Sequence, residues 1–284
     1  MEQKGKLFLC ATPIGNLEDV TLRLVSVLQS ADIVAAEDTS HTKKLLNHLG
    51  IQKKLISYHE HNKEKRGSEL IRLMLDGKSV ALVSDAGYPG IADPGEQLVK
   101  LSVDEGIDIV PLPGANAALS ALVASGIETT PFFFGGFLPK TKKHRQEKLR
   151  MWQQVPATMI FYEAPHRIEQ VLAQIHDSWG DRRIVLAREL TKVYEEFFRG
   201  NITQALSWLK QKPPRGEFTI IIEKGQQRED CPEISAFEKL KQLLKQGEDK
   251  KESLKKVAKE YNMSKRELYR YLLDEETSEL LEGE

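Results

Sequence analysis

The sequence predicts an α/β protein made of two α/β domains followed by a small helical tail. Apolar, strand-like runs alternate with segments of helical spacing as far as Gly225. The runs are apolar at successive positions rather than at every second one, which is typical of parallel strands covered by helices on both faces. The composition from Ile234 to Glu284 favours helix throughout. These observations together indicate helix-covered sheets and a separate helical segment.

The N-terminal domain is expected to contain five strands. They are Lys6–Thr12, Asp32–Glu37, Lys54–His59, Ser79–Ser84 and Asp108–Leu112. Between the first two strands, Val20, Leu24, Val27 and Leu28 recur at helical spacing. Because strands that alternate with helices are joined by crossovers, we predict a mainly parallel sheet.

The composition of the chain changes at Thr129–Lys143, where "TTPFFFGGFLPKTKK" is aromatic, then rich in glycine and proline, then basic. We place a domain boundary near Ile127, which gives an N-terminal domain of residues 1–127 and a second α/β domain of residues 128–225. The linker-like run "QQREDCPE" then leads to a helical tail domain of residues 234–284.

The second domain is predicted to hold three strands of its own. They are "ATMIFYEA" (Ala157–Ala164), "RRIVLARE" (Arg182–Glu189) and "EFTIIIEKG" (Glu217–Gly225). A helix is expected to begin at His166 and another near Ile202–Lys210.

Composition excludes several classes of protein. The 41 basic and 42 acidic residues give a net charge of −1, so any contact with a polyanion has to come from local charge. Cys10 and Cys231 lack metal-ligand spacing and argue against a disulfide framework. The apolar run near the N-terminus is too short for a signal peptide or a membrane anchor, and Pro13 ends it. We therefore expect a cytoplasmic protein with no membrane partner, and the scattered histidines predict no metal site.

Three motifs follow predicted strands of the N-terminal domain. The first motif is "ATPIGNLEDVTLR" (Ala11–Arg23), the second is "SDAGYPGIADPG" (Ser84–Gly95) and the third is "PLPGANAALSALVASG" (Pro111–Gly126). None is a P-loop or a GxGxxG dinucleotide fingerprint. Because the carboxyl ends of parallel strands meet at one edge of a sheet, the three motifs are expected to outline one ligand crevice.

The second motif carries the strongest indication of a ligand. Gly87 permits close backbone approach or a positive φ, and a loop this rich in glycine and proline costs conformational freedom while packing little. Asp93 is expected to cap a helix that begins near Gly95. In the first motif Asp19 is the expected cap, and an ordinary strand–turn–helix joint explains that motif equally well. In the third motif the small residues fit either room for a ligand at a helix start or close helix packing.

Nine motifs occur in an order that resembles a known family. They are "TPIGNLEDVTLR", "AEDTSHTKKLLNHLGI", "SYHEHN", "SDAGYPGIADPG", "PGANAALSALVASGI", "FFFGGFLP", "FYEAPHR", "ARELTKVYEE" and "GEFTIIIEKG". The chain resembles the bacterial small-subunit ribosomal RNA 2′-O-ribose cytidine methyltransferases (methyltransferase I) of the tetrapyrrole methylase superfamily. The resemblance covers about Leu7 to Gly225, with a weaker match in the tail.

The resemblance implies the cofactor, the substrate and the partners. Two α/β domains of tetrapyrrole-methylase type would hold S-adenosylmethionine in the cleft between them, in a homodimer. The methyl acceptor would be a cytidine ribose in the decoding region of small-subunit ribosomal RNA, either as naked RNA or in the assembled subunit. The Gly-Asp-Pro loop of the superfamily is here Ser84-Asp85-Ala86, and its glycine-rich first loop is reduced to "TPIGN".

The resemblance also implies the cofactor-binding residues. Carried over by position, they are Asp85, Tyr88, Asn116 and Ala117, with Tyr162, Ala187 and Phe218 from the second domain. Pro13 in the first motif and Gly87 in the second complete the predicted set.

A ribose hydroxyl is a poor nucleophile, so a general base or a charged partner is expected near the methyl group. Three places offer one. They are Glu37 with Asp38, Glu163 with His166 and Arg167, and Arg188 with Glu189. Capping or ion pairing explains any one of these carboxylates as well. We predict Glu163 and Arg188 as the catalytic pair, because the carboxyl ends of strands face the expected cleft.

RNA contact is expected from "PKTKKHRQEKLR" (Pro139–Arg150), which has six basic residues and one acidic residue directly after "FFFGGF". The predicted RNA-binding residues are Lys140, Lys142, Lys143 and Arg145, although a solvated helix face is the alternative. His59–Arg66 is a second, mixed candidate.

Two other functions are compatible with the sequence. The run Glu252–Leu272 has the pattern of a helix-turn-helix, so a DNA-binding regulator with the tail as its reader is one alternative. A small-molecule tetrapyrrole methylase is the other, although the reduced first glycine loop and the basic segment argue against it.

Overall fold

The structure is a computed structural model that describes residues 4–211, 213–225, 235–261 and 263–272. It divides into two compact units, Met1–Gly225 and Gln226–Glu284. The whole predicted linker, Cys231 included, lies outside the described residues.

The first sheet of unit 1 contains the five predicted strands. They are β1 (Lys6–Cys10), β2 (Ile33–Ala36), β3 (Lys54–Ser57), β4 (Val80–Val83) and β5 (Asp108–Leu112). Their order is β3-β2-β4-β1-β5, and all four pairings are parallel, which confirms the predicted sheet. The helices between and after them are α1 (Leu22–Ser30), α2 (Thr39–His48), α3 (Lys63–Leu75), α4 (Glu96–Asp104) and α5 (Ala117–Ser125).

Both faces of this sheet are buried. On β2, Ile33 and Ala35 belong to one apolar cluster, while Val34 and Ala36 belong to another. Alternate side chains of a strand point to opposite faces, so helices cover both sides, and this explains why the run has no polar alternation. Cys10 is fully buried, and burial raises the pKa of its thiol to about 12, as expected of an inert core residue.

The second sheet contains the three predicted strands and two that were missed. Its strands are β6 (Phe132–Phe137), β7 (Thr158–Glu163), β8 (Arg183–Arg188), β9 (Glu196–Asn201) and β10 (Phe218–Ile222), in the order β6-β7-β10-β8-β9. Only β6 and β7 are parallel; the other pairings are antiparallel. The helices are α6 (Lys142–Trp152), α7 (Ile168–Trp179) and α8 (Ile202–Gln211).

The two missed strands, β6 and β9, are the edges of this sheet. Their residues are only partly buried, and the register of β6 shifts between Phe134 and Phe137, where two glycines intervene. Edge strands with glycine and a bulge lack the apolar pattern by which a buried strand is found.

Helix α5 joins the two sheets. Its buried Ala118, Ala121 and Leu122 form one apolar cluster with Ile160 and Val185 of the second sheet. The carboxyl ends of the parallel strands are thereby held next to the second sheet.

Two predicted helix caps are wrong. Asn16 caps a short 3-10 helix (Leu17–Asp19) and Thr21 caps α1, so Asp19 caps neither. The N-cap position of α4 is Gly95, which has no side chain, so Asp93 does not cap that helix either.

Unit 2 is helical in its described part. It contains α9 (Ala236–Lys245), α10 (Lys250–Glu260) and helical residues from 265 to 272. Leu240, Val257 and Leu268 are fully buried in its apolar core. Ser264 caps the last helical segment through a hydrogen bond from the Glu267 N–H, while Asn262 lies outside the described residues. No helix in the described ranges is long and apolar enough to cross a membrane.

Candidate active site

A cavity of about 370 Å³ lies between the carboxyl edge of the first sheet and the second sheet of unit 1. Its walls come from all three motifs, from the residue after β2, and from the ends of β7, β8 and β10. The lining residues are Ile14, Glu37, Asp85, Ala86, Gly87, Tyr88, Ile91, Ala92, Asp93, Asn116, Ala117, Phe137, Tyr162, Glu163, Ala164, Pro165, Ala187, Leu190, Glu217, Phe218 and Thr219.

Backbone hydrogen bonds fasten the first motif to the second. The Thr12 N–H donates to the Gly87 carbonyl at 2.9 Å, and the Gly87 N–H donates back to the Thr12 carbonyl at 3.1 Å. The buried Thr12 hydroxyl donates to the Ser84 carbonyl at 3.1 Å. Gly87 has φ of +76°, a conformation that glycine adopts without a steric penalty. The two loops therefore form one fixed wall of the cavity.

Tyrosine and asparagine side chains hold the third motif. The Tyr88 hydroxyl accepts a hydrogen bond from the Gly114 N–H at 3.2 Å. The Asn116 side chain caps α5 by accepting from the Leu119 N–H at 2.9 Å. The Tyr162 hydroxyl, from β7, accepts from the Ala118 N–H at 3.1 Å. All three motifs are thus held at the cavity by specific hydrogen bonds.

The structure brings together eight of the nine residues predicted to bind the cofactor. Asp85, Gly87, Tyr88, Asn116, Ala117, Tyr162, Ala187 and Phe218 all line the cavity. Pro13 does not; it lines a neighbouring cavity of about 260 Å³ together with His41 and Lys44. A cofactor role for Pro13 is therefore not supported by its position.

Glu163, one of the two predicted catalytic residues, lines the cavity and is only 2% exposed. Its Oε1 accepts a hydrogen bond from the Ala164 N–H at 2.9 Å, and its Oε2 lies 3.4 Å from Arg167 Nη2. Burial raises the pKa of Glu163, while the Ala164 N–H and the charges of Arg167 and Arg145 oppose the rise. The carboxylate is held at the carboxyl end of β7, as the sequence predicted.

Arg188, the other predicted catalytic residue, is not among the cavity-lining residues. Neighbours on a strand point to opposite faces, and the preceding Ala187 lines the cavity. The Arg188 guanidinium pairs instead with Glu196 on β9, at 2.8 Å from Nη2 to Oε2. The expectation that Arg188 faces the cleft is therefore corrected.

Three carboxylates in the cavity were not in the predicted set, Glu37, Asp93 and Glu217. Burial raises the pKa of Glu37 to about 7, with further contributions from the charges of Asp93 and Asp85. Burial and the charge of Asp85 also raise the pKa of Asp93. The sequence offered Glu37 as a candidate base because it follows β2, whereas the role assigned to Asp93 as a cap hid its position.

Aromatic rings form one side of the cavity. Phe137 is 55% exposed, and its ring lies edge-on to that of Tyr162 with centroids 5.7 Å apart. Phe134 contacts the same ring at 5.0 Å. A planar, apolar ligand group could therefore pack beside Phe137.

The basic segment Pro139–Arg150 divides into exposed and buried charges. Lys140, Lys142 and Lys143 are exposed around the start of α6. Arg145 is fully buried: its Nε donates to Gln174 Oε1, and its Nη1 donates to the carbonyls of Pro139 at 2.9 Å and Lys140 at 3.3 Å. The predicted RNA-binding role of Arg145 is therefore wrong, because its guanidinium supports the turn before α6.

The sequence model of the family described as tetrapyrrole (corrin/porphyrin) methylases matches residues 6–206. The chain belongs to the tetrapyrrole methylase family. This confirms the resemblance and makes the protein a methyltransferase.

Curated proteins of two bacteria are similar to this chain over almost its full length. It is 46% identical over 273 residues to "Ribosomal RNA small subunit methyltransferase I" of Halalkalibacterium halodurans, and the alignment covers 94% of each chain. It is 47% identical over 272 residues to the protein of the same name from Bacillus subtilis, which covers 93% of each chain. Among solved structures, the Thermus thermophilus uroporphyrin-III C-methyltransferase complexed with S-adenosyl homocysteine matches with a TM-score of 0.54 at 17% identity. That match covers 76% of this tetrapyrrole methylase and 97% of the solved chain.

Proposed function

We propose that this methyltransferase transfers a methyl group from S-adenosylmethionine to the 2′-hydroxyl of a cytidine ribose in the decoding region of small-subunit ribosomal RNA. The observation that carries the proposal is the near full-length similarity, at 46% and 47% identity, to two proteins named small-subunit ribosomal RNA methyltransferase I. The cavity supports it by offering a site suited to a nucleoside cofactor.

The cavity residues fit S-adenosylmethionine in size and in chemistry. A volume of about 370 Å³ lies within the range of ligand sites. Ala86, Gly87, Ala117 and Ala187 leave backbone accessible at the wall. The buried Glu163 Oε2 has no hydrogen-bond partner within the described part of the chain, so a donor on a ligand would satisfy it.

Negative charge in the cavity complements a cationic methyl donor. Asp85, Asp93 and Glu37 line it, and opposite charges attract more strongly where water is excluded. S-adenosylmethionine, when bound, supplies a methyl group on a positively charged sulfur. The protein contributes by fixing the acceptor in line with that group and by excluding water. Glu163, held by Ala164 and Arg167, stays a proposed site residue that shapes this pocket.

RNA contact is proposed for the exposed Lys140, Lys142 and Lys143. They lie within six residues of Phe137, which lines the cavity, so a strand that enters the cavity can place phosphates beside them. We further propose that the protein acts in the cytoplasm as a homodimer, on RNA or on the assembled subunit.

The two alternatives are less well supported. The solved tetrapyrrole-modifying enzyme is only 17% identical and informs on the fold alone, whereas the ribosomal RNA enzymes match almost the full chain. A DNA-binding regulator would need no methyl-transfer site, and this chain is a methyltransferase.

The test uses S-adenosylmethionine with a labelled methyl group and small ribosomal subunits from a strain that lacks the homologous enzyme. We expect label in the small-subunit RNA, at one cytidine whose 3′ phosphodiester bond becomes resistant to alkali. Label in a base, or transfer only to a porphyrin precursor, would contradict the proposed ribose specificity. Naked RNA and assembled subunits are compared in parallel to identify the form that is methylated.

A further inference from the structure

Glu37 lies where two cavities of the protein meet. It lines the cavity proposed for the methyl donor and also a second groove of about 650 Å³. The other residues that the two share are Ile91, Ala92 and Asp93, from the second motif. Other residues that line the groove include Glu60, Lys63 and Lys100. Glu37 and the second motif therefore border both the groove and the donor cavity.

The end of β2 and the second motif determine the position of Glu37. Glu37 directly follows β2, whose four residues are fully buried. The Asp85 N–H favours the charged form of the Glu37 carboxyl, and the Asp85 carboxylate accepts a hydrogen bond from the Asp38 N–H at 3.2 Å. The Asp38–Asp85 bond couples the ends of β2 and β4, between which Glu37 lies.

The groups around Glu37 are mostly acidic. Asp38, Asp85 and Asp93 face it from α2 and from the second motif. Across the groove, Lys63 is paired with Glu60 at 2.5 Å. Among the described residues, Glu37 takes part in no ion pair, unlike Glu163 with its Arg167 partner. An unpaired carboxylate is the better proton acceptor, because no cation stabilises its charged form.

The three acidic side chains do not form a metal site. No group of three His, Cys, Asp or Glu residues in the described ranges is arranged to hold a metal ion. Their neighbourhood instead makes ionisation of Glu37 unfavourable, which is the condition under which a carboxylate takes up a proton near neutral pH.

We propose that Glu37 is the general base that accepts the proton of the acceptor hydroxyl, and that the acceptor nucleotide reaches it through the groove. This inference rests on the proposed function, since it needs a hydroxyl acceptor. Lys100 is exposed on the groove wall and is suited to contact an RNA phosphate there.

The step balances without another reactant. The hydroxyl oxygen forms a bond to the methyl carbon as the bond between that carbon and sulfur breaks, and the sulfur keeps the electron pair as a neutral thioether. The hydroxyl proton passes to a Glu37 carboxylate oxygen and is then released to water. The products are the methylated ribose, S-adenosylhomocysteine and a proton.

The protonation state of Glu37 matches this role. Its pKa of about 7 leaves a large fraction of the carboxylate ionised at neutral pH while keeping it basic enough to take a proton. A bound sulfonium cation would favour the charged form and lower that pKa. The pH profile of kcat/KM should therefore have its midpoint near 7, and the profile of kcat should have its midpoint at lower pH.

The test compares the wild type with Glu37→Gln and with Glu69→Gln, a surface carboxylate on α3 that lines neither cavity. We expect Glu37→Gln to lower kcat for methylation of small ribosomal subunits by about 100-fold or more. Loss of the Glu37 charge should weaken S-adenosylmethionine binding by no more than about tenfold in calorimetry, so kcat is compared at saturating S-adenosylmethionine. Residual activity of Glu37→Gln should lose the ionisation near pH 7, whereas Glu69→Gln should behave as the wild type.

Retention of wild-type kcat by Glu37→Gln would overturn the inference and leave the proposed function standing. A loss of activity explained wholly by loss of S-adenosylmethionine binding would also overturn it, because Glu37 would then be a cofactor ligand. If Glu37→Gln does not fold, Glu37→Asp is used, and its reduced kcat must still rise with pH. A wild type inactive on subunits and RNA would overturn the proposed function and this inference with it.

Discussion

The hydroxyl of Tyr162 on β7 accepts a hydrogen bond from the backbone N–H of Ala118, in the first turn of α5, at 3.1 Å. Helix α5 follows the last strand of the first sheet, so this one bond connects the two sheets at the floor of the cavity. The first N–H groups of a helix have no partner within it, and here a side chain from the other sheet supplies one. Formation of the cavity wall is thereby coupled to the docking of the two sheets.

We expect Tyr162→Phe to weaken both stability and cofactor binding. The change leaves the Ala118 N–H without its partner, which should cost about 1 kcal/mol of the free energy of unfolding. S-adenosylmethionine should bind roughly fivefold more weakly if the wall of the cavity loosens by a similar free energy. Urea unfolding and calorimetric titration measure the two effects.

Tyr194→Phe is the matched control, since Tyr194 is 75% exposed and lies outside the cavity. It should leave both quantities unchanged. Equal behaviour of the two variants would show that the Tyr162 hydroxyl does not support the site.

The sequence identified the parallel sheet because its strands are buried on both faces and carry an unbroken apolar pattern. It missed the edge strands β6 and β9. Their stability comes from pairing and from partial burial, and neither produces a clear pattern in a short stretch of sequence. The resemblance carried by the ordered motifs predicted most of the cavity wall, since Asp85, Tyr88 and Asn116 all line the cavity.

What the sequence could not give was the direction of individual side chains. The sequence shows no partner for Arg145 or Arg188. In the structure Arg145 is buried against Gln174, and Arg188 pairs with Glu196. Each partner lies on a different helix or strand from its arginine, and such contacts depend on tertiary packing. Asp93 was misassigned for a similar reason: a Pro-Gly sequence after an aspartate suggests a cap, and only the fold directs it into the cavity.

Gly87→Ala should reduce cofactor binding through its backbone conformation. A Cβ at Gly87 has room, since its nearest neighbour would be Ile14 Cγ2 at 3.5 Å. The φ of +76° nevertheless disfavours alanine, so we expect the loop to be destabilised by about 1 kcal/mol or to move. The measurement is calorimetric titration of S-adenosylmethionine, together with thermal unfolding.

Gly126→Ala provides the control for this backbone effect. Gly126 has φ of +75° at the end of α5, with no atom within 4 Å of a Cβ, and it does not line the cavity. It should lower stability by a similar amount without changing affinity. Equal losses of affinity in both variants would indicate a general effect of instability on binding.

Replacing Lys140, Lys142 and Lys143 together by glutamine should weaken RNA binding and flatten its dependence on salt. Each lost phosphate contact removes about 0.7 from the slope of log affinity against log salt for a single strand, so a reduction of roughly 2 is expected. Cofactor affinity should not change, because none of the three lines the cavity. Filter binding at several salt concentrations measures the slope.

The matched control replaces Lys6, Lys54 and Lys78, which are exposed at the amino ends of the parallel strands, far along those strands from the cavity edge. The net change of charge is the same, so an equal fall in slope would mean that only overall charge matters.

Arg145→Gln, in contrast, should destabilise the fold by about 2–4 kcal/mol, because it breaks a buried set of hydrogen bonds.

The free energy of unfolding of Glu37→Gln relative to the wild type should depend on pH. Glu37 has a pKa of about 7 when folded and an ordinary one of 4.5 when unfolded. The folded state therefore holds this proton more tightly, and the wild type loses stability as pH rises from about 4.5 through 7. Glutamine cannot ionise, so the variant avoids that loss. Because Glu37 is only partly buried, we expect a gain of roughly 1–2 kcal/mol at pH 8 and almost none at pH 4.5.

Urea unfolding followed by circular dichroism at the two pH values measures this difference, with Glu69→Gln as the control that should show no such dependence. A stabilisation of Glu37→Gln that is the same at both pH values would mean that the Glu37 carboxyl ionises normally. The midpoint near pH 7 expected for kcat/KM would then have to come from another group. A gain confined to high pH, combined with lost methyl transfer, would show that the protein gives up stability to hold a basic carboxylate between the donor cavity and the groove.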